Sequence, residues 1–195
     1  MASLRELIQT LLPTAEPLVD ARTEAMARTV TWVRLLRTRL PAFDGMDAGD
    51  LALLGTGEQA WWHLRAAARV RKLRRVRVYA PTTSRLEGFV ARARAELGIV
   101  VEAAATAQAA IVDADIVIAA TNASEPVLDG RWLAPGAHVV SIVSGDKGSR
   151  RRELDDESLR RASLVVAHSK AGAIEHGNGD LAGPVAAGIL SWEKI

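Results

Sequence analysis

A chain of 195 residues with 49% apolar and 25% charged residues has the balance of a folded globular protein, which excludes a disordered or low-complexity one. It contains no cysteine, so disulfide bonds and thiolate catalysis are excluded, and its net charge is only +2. Residues 4–12 and 21–36 read as helices, and the stretch LPAFDGMDAGD that follows reads as a linker rich in turn residues. Residues 1–50 are therefore expected to form a helical arm rather than a second folded domain. The N-terminus carries Arg5 and Glu6 without the apolar core of a signal peptide, and no run of apolar residues is long enough for a membrane span. The expectation is a soluble, cytoplasmic protein.

From residue 51 onward short apolar runs alternate with longer amphipathic segments. Strands are expected at 51–54, 76–79, 99–102, 115–120, 138–143 and 163–167. Helices are expected at 58–73, 84–97, 105–112 and 155–161, the second stopped by Gly98. Strands alternating with helices imply parallel pairing, because a parallel connection must cross over the sheet and a helix is the usual crossover. The predicted fold is a Rossmann-type, doubly wound α/β domain over residues 51–195, with a mainly parallel sheet and helices on both faces.

Charge is unevenly spread. RAAARVRKLRRVR, Arg65 to Arg77, holds seven basic residues in thirteen and no acid. A nucleic-acid surface is one reading, but no aromatic platform is interleaved and no nucleic-acid motif accompanies the arginines, so a solvated helix face is favoured.

In GTGEQA, Gly55 to Ala60, the spacing is G-x-G-x-x-A, between a predicted strand and a predicted helix. Gly55 permits the tight turn, Gly57 removes the Cβ that would collide with a pyrophosphate, and small Ala60 lets helix and strand approach. Phosphates would then sit on the positive end of the helix beginning near Glu58. After the second strand, VYAPTTSRLEG has no acid before Glu87 to bond the ribose 2′-hydroxyl of NAD. Thr82, Thr83, Ser84 and Arg85 instead offer hydroxyls and a guanidinium suited to a 2′-phosphate, so NADP(H) is expected over NAD(H). Thr83 or Ser84 as a cap of the following helix is the simpler role, and the two can coexist.

GTGEQAWWHLRA, ADIVIAATNASEPVLDGRWLAPGAHVVSIVSGD, RRELDDESLRRASLVVAHS and HGNGDL, in that order, resemble the ornithine cyclodeaminase/mu-crystallin family. The resemblance implies hydride exchange between a bound nicotinamide and an α-amino acid or imine, of cyclodeaminase, alanine dehydrogenase or ketimine reductase type. It puts Gly55, Thr56, Gly57, Glu58 and Gln59 on the phosphate turn and Thr82 to Arg85 beside the adenosine ribose. It puts Thr121 and Asn122 along the cofactor's ribose and pyrophosphate, and Ile142, Val143 and Ser144 beneath the nicotinamide. Asp146 falls on the acid that stands beside the reacting carbon and assists proton transfer; read by itself, it is equally an ordinary loop acid in a Ser-Gly-Asp-Lys-Gly turn. Arg22, in DARTEAMA, falls on the arginine that grips the substrate carboxylate.

The resemblance also implies a substrate domain made from a longer N-terminal region and a returning C-terminal segment. This chain is expected to carry those parts shortened, with residues 1–50 as a remnant. Two classes of function therefore stay open: an NAD(P)-dependent enzyme, its missing wall supplied by the N-terminal helices or the second subunit of a homodimer, and a non-catalytic NADP(H)-binding protein acting through a partner. His63, His138, His168 and His176 show no metal-ligand spacing, and no metal is expected. Trp61 and Trp62 are adjacent and cannot share one helix face; one is expected to pack and the other to face outward.

Overall fold

The computed structural model describes residues 48–143, 151–167 and 169–195. Its centre is β1 (Asp50–Leu54), whose Leu51, Leu53 and Leu54 are all but inaccessible to solvent. Burial of each such leucine is worth roughly 2 kcal/mol, and a strand that is apolar on both faces can only sit inside a sheet covered on both sides. It does so here. The five strands run in the order β3-β2-β1-β4-β5, with β2 (Arg75–Tyr79), β3 (Val101–Ala103), β4 (Ile116–Ala119) and β5 (His138–Ser141). Every pairing is parallel, Leu51 lying between Val76 and Ile116 in register.

Two helices cover one face. In α1 (Glu58–Val70), Ala60, Leu64 and Ala67 recur at helical spacing and are buried with Trp61. In α2 (Thr83–Leu97), Leu86, Phe89, Val90 and Ala93 do the same, and Gly98, at φ 64°, ends the helix in the left-handed conformation. Both pack on Leu51, Leu53, Val76 and Val78. Ala52, Leu54, Val117 and Ala119 point the other way, onto α3 (Ala107–Ile111) and Leu128. This is the doubly wound α/β arrangement expected from the alternation.

Beyond β5 come α4 (Asp156–Arg161), α5 (Lys170–His176) and α6 (Gly179–Ala186). The expected strand at 163–167 is not formed: the stretch is irregular and pairs with no strand, leaving Leu164 and Val166 exposed. Apolar β-branched composition gives a strand only where a partner edge is in reach, and none meets this stretch among the described residues. The last two helices were not expected. GNGDLAGPVA has the look of a loop, yet Asn178 caps α6 by accepting hydrogen bonds from the Asp180 and Leu181 amides. The basic tract is largely engaged within the chain. Arg74 bridges Asp50 and Asp115, each at 2.9 Å, and Arg77 donates to the Ala109 and Val112 carbonyls. Arg65 lies over the Trp62 ring, 5.0 Å from its centroid. No helix among the described residues is long and apolar enough to cross a membrane.

Candidate functional site

Because all five strands are parallel, their C-terminal ends share one edge of the sheet. The chain order reverses between β1 and β4, and the crevice above such a reversal is where open α/β sheets hold their ligands. Gly55 enters this crevice directly from β1. Its φ of 108° lies where side chains are strained, and a Cβ there would come 2.2 Å from the Ala120 carbonyl oxygen at the end of β4. Its amide donates to the Tyr79 carbonyl at 2.9 Å, so the turn is locked to both neighbouring strands. Gly57 is different: a Cβ there would meet nothing within 4 Å. It is the N-cap of α1 and, lacking a side chain, provides no side-chain hydrogen bond to the first turn of this thirteen-residue helix.

That arrangement fits a dinucleotide's pyrophosphate. Backbone donors, the positive end of the helix dipole and a position free of any Cβ converge on one spot. Thr56 is half-buried in the turn, and Glu58 and Gln59 are exposed on the first turn of α1. A cleft of about 420 Å³ opens beside them, walled by Trp61, Trp62, Phe89 and Arg92. Trp61 meets Phe89 edge-on and carries the Arg92 guanidinium 3.8 Å above its ring, so this wall is packed from its own members. Trp61 is buried and Trp62 only partly so.

Thr82, Thr83, Ser84 and Arg85 follow β2 at the same edge, all exposed. Thr82, rather than Thr83 or Ser84, occupies the N-cap of α2, and no side-chain hydrogen bond closes the helix there. The hydroxyls and the guanidinium thus stand at the surface beside the glycine turn. On the other side of the turn, Thr121 leaves β4, with Asn122 exposed after it, and Ile142 and Val143 leave β5. The glycine turn, the Thr82 to Arg85 group, Thr121 and Ile142 therefore line one edge. Ser144, Asp146, Arg22 and His168 lie outside the described residues.

Sequence reasoning missed what holds Thr121 and Ile142 in place. Glu153, fully buried, reaches between β4 and β5. Its Oε1 accepts from the Thr121 amide at 2.5 Å and the Thr121 hydroxyl at 2.8 Å. Its Oε2 accepts from the Ser141 hydroxyl at 2.8 Å and the Ile142 amide at 3.1 Å. A second buried acid, Asp180 on α6, accepts through Oδ1 from the Glu153 and Leu154 amides, and its Oδ2 lies 2.5 Å from Ser141 Oγ. Burial pushes both carboxyls above the usual carboxylate range, against the hydrogen bonds that favour their charged forms. Asn178 adds a further tie, its side-chain amide donating to the Val143 carbonyl at 3.2 Å. Gly179 makes this approach sterically feasible, since a Cβ there would fall 1.7 Å from the Arg151 carbonyl oxygen. A polar Ser141 at the end of a strand was the one local sign that a buried partner was needed.

His63 and His138 take no part in this edge. His63 is buried in α1 with Nδ1 2.7 Å from the Gln59 carbonyl, and burial lowers its pKa. His138, at the start of β5, is held down to about 4 by burial and by the Arg71 charge.

Fold and crevice together define a dinucleotide-binding type of α/β domain. The sequence model of the ornithine cyclodeaminase/mu-crystallin family matches residues 42–188, and the chain belongs to that family. It is 32% identical to ketimine reductase mu-crystallin of Mus musculus over 157 residues, 80% of this chain and 48% of that protein. It is 34% identical to a Delta(1)-pyrroline-2-carboxylate reductase of Bacillus cereus over 149 residues, 76% of this chain and 45% of that protein. Among solved structures, the Delta(1)-pyrroline-2-carboxylate reductase of Thermococcus litoralis in complex with NADH and L-proline superposes with a TM-score of 0.76. Identity there is 28%, covering 89% of this chain and 50% of that one. The chain thus spans about half the length of the relatives it matches.

Proposed function

We propose that this chain holds a nicotinamide dinucleotide across the C-terminal edge of its sheet and serves an oxidoreductase that interconverts a cyclic imine carboxylate and the corresponding amino acid. The observation that carries the reading is the uncapped N-terminus of α1 at Gly57, set in open space while Gly55 is wedged against Ala120. Relatives that are named ketimine reductase and pyrroline-2-carboxylate reductase support the reaction class.

The chain's own residues divide the work as follows. The α1 amides and Gly57 bind the pyrophosphate. Thr82, Thr83, Ser84 and Arg85 receive the adenosine ribose, and with no acid among them they favour a 2′-phosphate, hence NADP(H) over NAD(H). Thr121, Asn122, Ile142, Val143 and Ser144 line the nicotinamide half. When bound there, a dihydronicotinamide would supply a hydride to the imine carbon of the substrate. Asp146 exchanges the proton that turns the imine nitrogen into an amine, and Arg22 fixes the substrate carboxylate through a bidentate pair. In this reading residues 1–50 form an arm of the substrate region and residues 51–195 the cofactor domain.

The test is a titration of the protein with NADPH and NADH, followed by nicotinamide absorbance in the presence of Delta(1)-pyrroline-2-carboxylate. Expected are tighter binding of NADPH and loss of its absorbance only when the imine is added. Tighter NADH binding overturns the cofactor preference. Binding without turnover of this imine, L-alanine or L-ornithine removes catalysis and leaves a binding protein.

A further inference from the structure

Two buried carboxyls, Glu153 and Asp180, flank a single hydroxyl, that of Ser141, at 2.8 and 2.5 Å. A serine hydroxyl has one proton to donate, and two carboxylates can only accept. Both contacts are hydrogen bonds only if one of the acids is protonated and donates to Ser141 Oγ. The donor count decides which. Both oxygens of Glu153 already receive backbone amides, Thr121 on Oε1 and Ile142 on Oε2, and Thr121 adds its hydroxyl. On Asp180 the two backbone amides go to Oδ1, and Ser141 Oγ is the contact of Oδ2.

We propose that Asp180 is a neutral carboxylic acid in the folded protein, donating through Ser141 to a Glu153 carboxylate, and that this proton closes a clamp setting the gap between the ends of β4 and β5. Glu153 and Asp180 are positioning residues: they touch the backbone that leads into the crevice, through Thr121, Ser141 and Ile142, and not the crevice itself. The charged groups facing Asp180 among the described residues are Glu153, across Ser141, and Arg152, on the segment entering α4. Arg152 donates to the Leu154 carbonyl and pairs with Asp156, and β5 presents the uncharged Ser141. On α6 itself the neighbouring Asn178 side chain is neutral and capped onto the backbone. When Asp180 ionises, Ser141 can satisfy only one acid and the clamp opens on one side.

The experiment uses the full chain. Infrared difference spectra between wild type and Asp180→Asn at neutral pH are expected to show the C=O stretch of a protonated carboxylic acid, and that band moves on labelling with ¹³C-aspartate. A band that moves only with ¹³C-glutamate, or no band, overturns the proposal, and the labelled wild type decides this even if the variant fails to fold. Asparagine keeps a donor toward Ser141 without a titrating proton. Relative to Asp180→Asn, wild type therefore loses stability as pH rises from the ordinary aspartate value of 3.8 through the raised folded value, and an acid still protonated at neutral pH makes this a fall in Tm on the order of 10 °C. A pH-independent Tm difference overturns the proposal as well. The consequence for ligand binding rests on the dinucleotide reading proposed above: NADPH affinity falls in wild type as pH rises through the folded Asp180 value, above neutral pH, and stays flat in Asp180→Asn. A protein that shows the band and the slope yet binds neither NADPH nor NADH ends the dinucleotide reading and leaves the shared proton standing.

Discussion

The glycine turn after β1 and the carboxylate clamp between β4 and β5 sit on the same sheet edge but are built in opposite ways. The turn is local: Gly55, Gly57 and Ala60 lie within six residues, and its work is done by backbone geometry. The clamp is assembled from residues 12, 27 and 32 positions apart, and its work is done by side-chain oxygens. A short motif can therefore supply a ligand's seat, whereas the spacing of the strands beside it depends on polar groups far along the chain.

The largest expected effect is at Gly55. An alanine there combines a strained φ with a backbone clash, and Gly55→Ala should cost about 3 kcal/mol or more, read as a large drop in the urea midpoint or loss of soluble protein. Near-normal stability would show that the turn can relax and that the locality of the motif has been overstated. Next comes Glu153→Ala, which strands two backbone amides and two hydroxyls in a buried setting. A loss of about 2–4 kcal/mol is expected, with Glu153→Gln losing less because its amide oxygen still serves Thr121. If both variants unfold at the wild-type midpoint, the clamp contributes no stability.

Histidine burial supplies a smaller, pH-dependent effect. With a folded value of about 4 against an ordinary 6.5, His138 takes up its proton more readily in the unfolded chain, so stability falls as pH drops through that interval. The loss is about 2–3 kcal/mol, and His138→Gln should flatten this acid limb of a Tm-versus-pH curve. Its direction is opposite to that of Asp180, so the two effects separate cleanly. The smallest structural effect is at Gly57, where a Cβ meets nothing. Gly57→Ala should change stability by less than about 1 kcal/mol while weakening NADPH binding at least tenfold. Equal affinities for variant and wild type would remove the pyrophosphate from this turn.

Much of the sheet was legible in the sequence because its signals are periodic. The alternation in RVRVY and the unbroken apolar run in LALL placed β2 and β1 to within a residue, and the i, i+3, i+4, i+7 pattern placed α2. The misses have physical causes. Ser163 to Ala167 has strand composition but no partner edge, and a strand is a property of pairing as much as of residues. The helix at Gly179–Ala186 carries glycine and proline, and only its Asn178 cap and its packing reveal it. Glu153 was hidden for another reason: RRELDD reads as a charged surface turn, and nothing local says that one of its acids is fully buried. The expected acid Asp146 and the expected carboxylate-binding Arg22 lie outside the described residues, so the geometry bears on the cofactor side of the site alone.

The position of β1 also orders the birth of the fold. Its Leu51 pairs with Val76 on one side and with Ile116 on the other, so during synthesis one edge of this largely apolar strand waits for a segment made long after its first partner. Until β4 emerges, that edge of β1 stays unpaired and apolar, able to recruit another chain. Chains interrupted between β3 and β4 should accordingly clump or engage a chaperone, whereas those released after β5 should not.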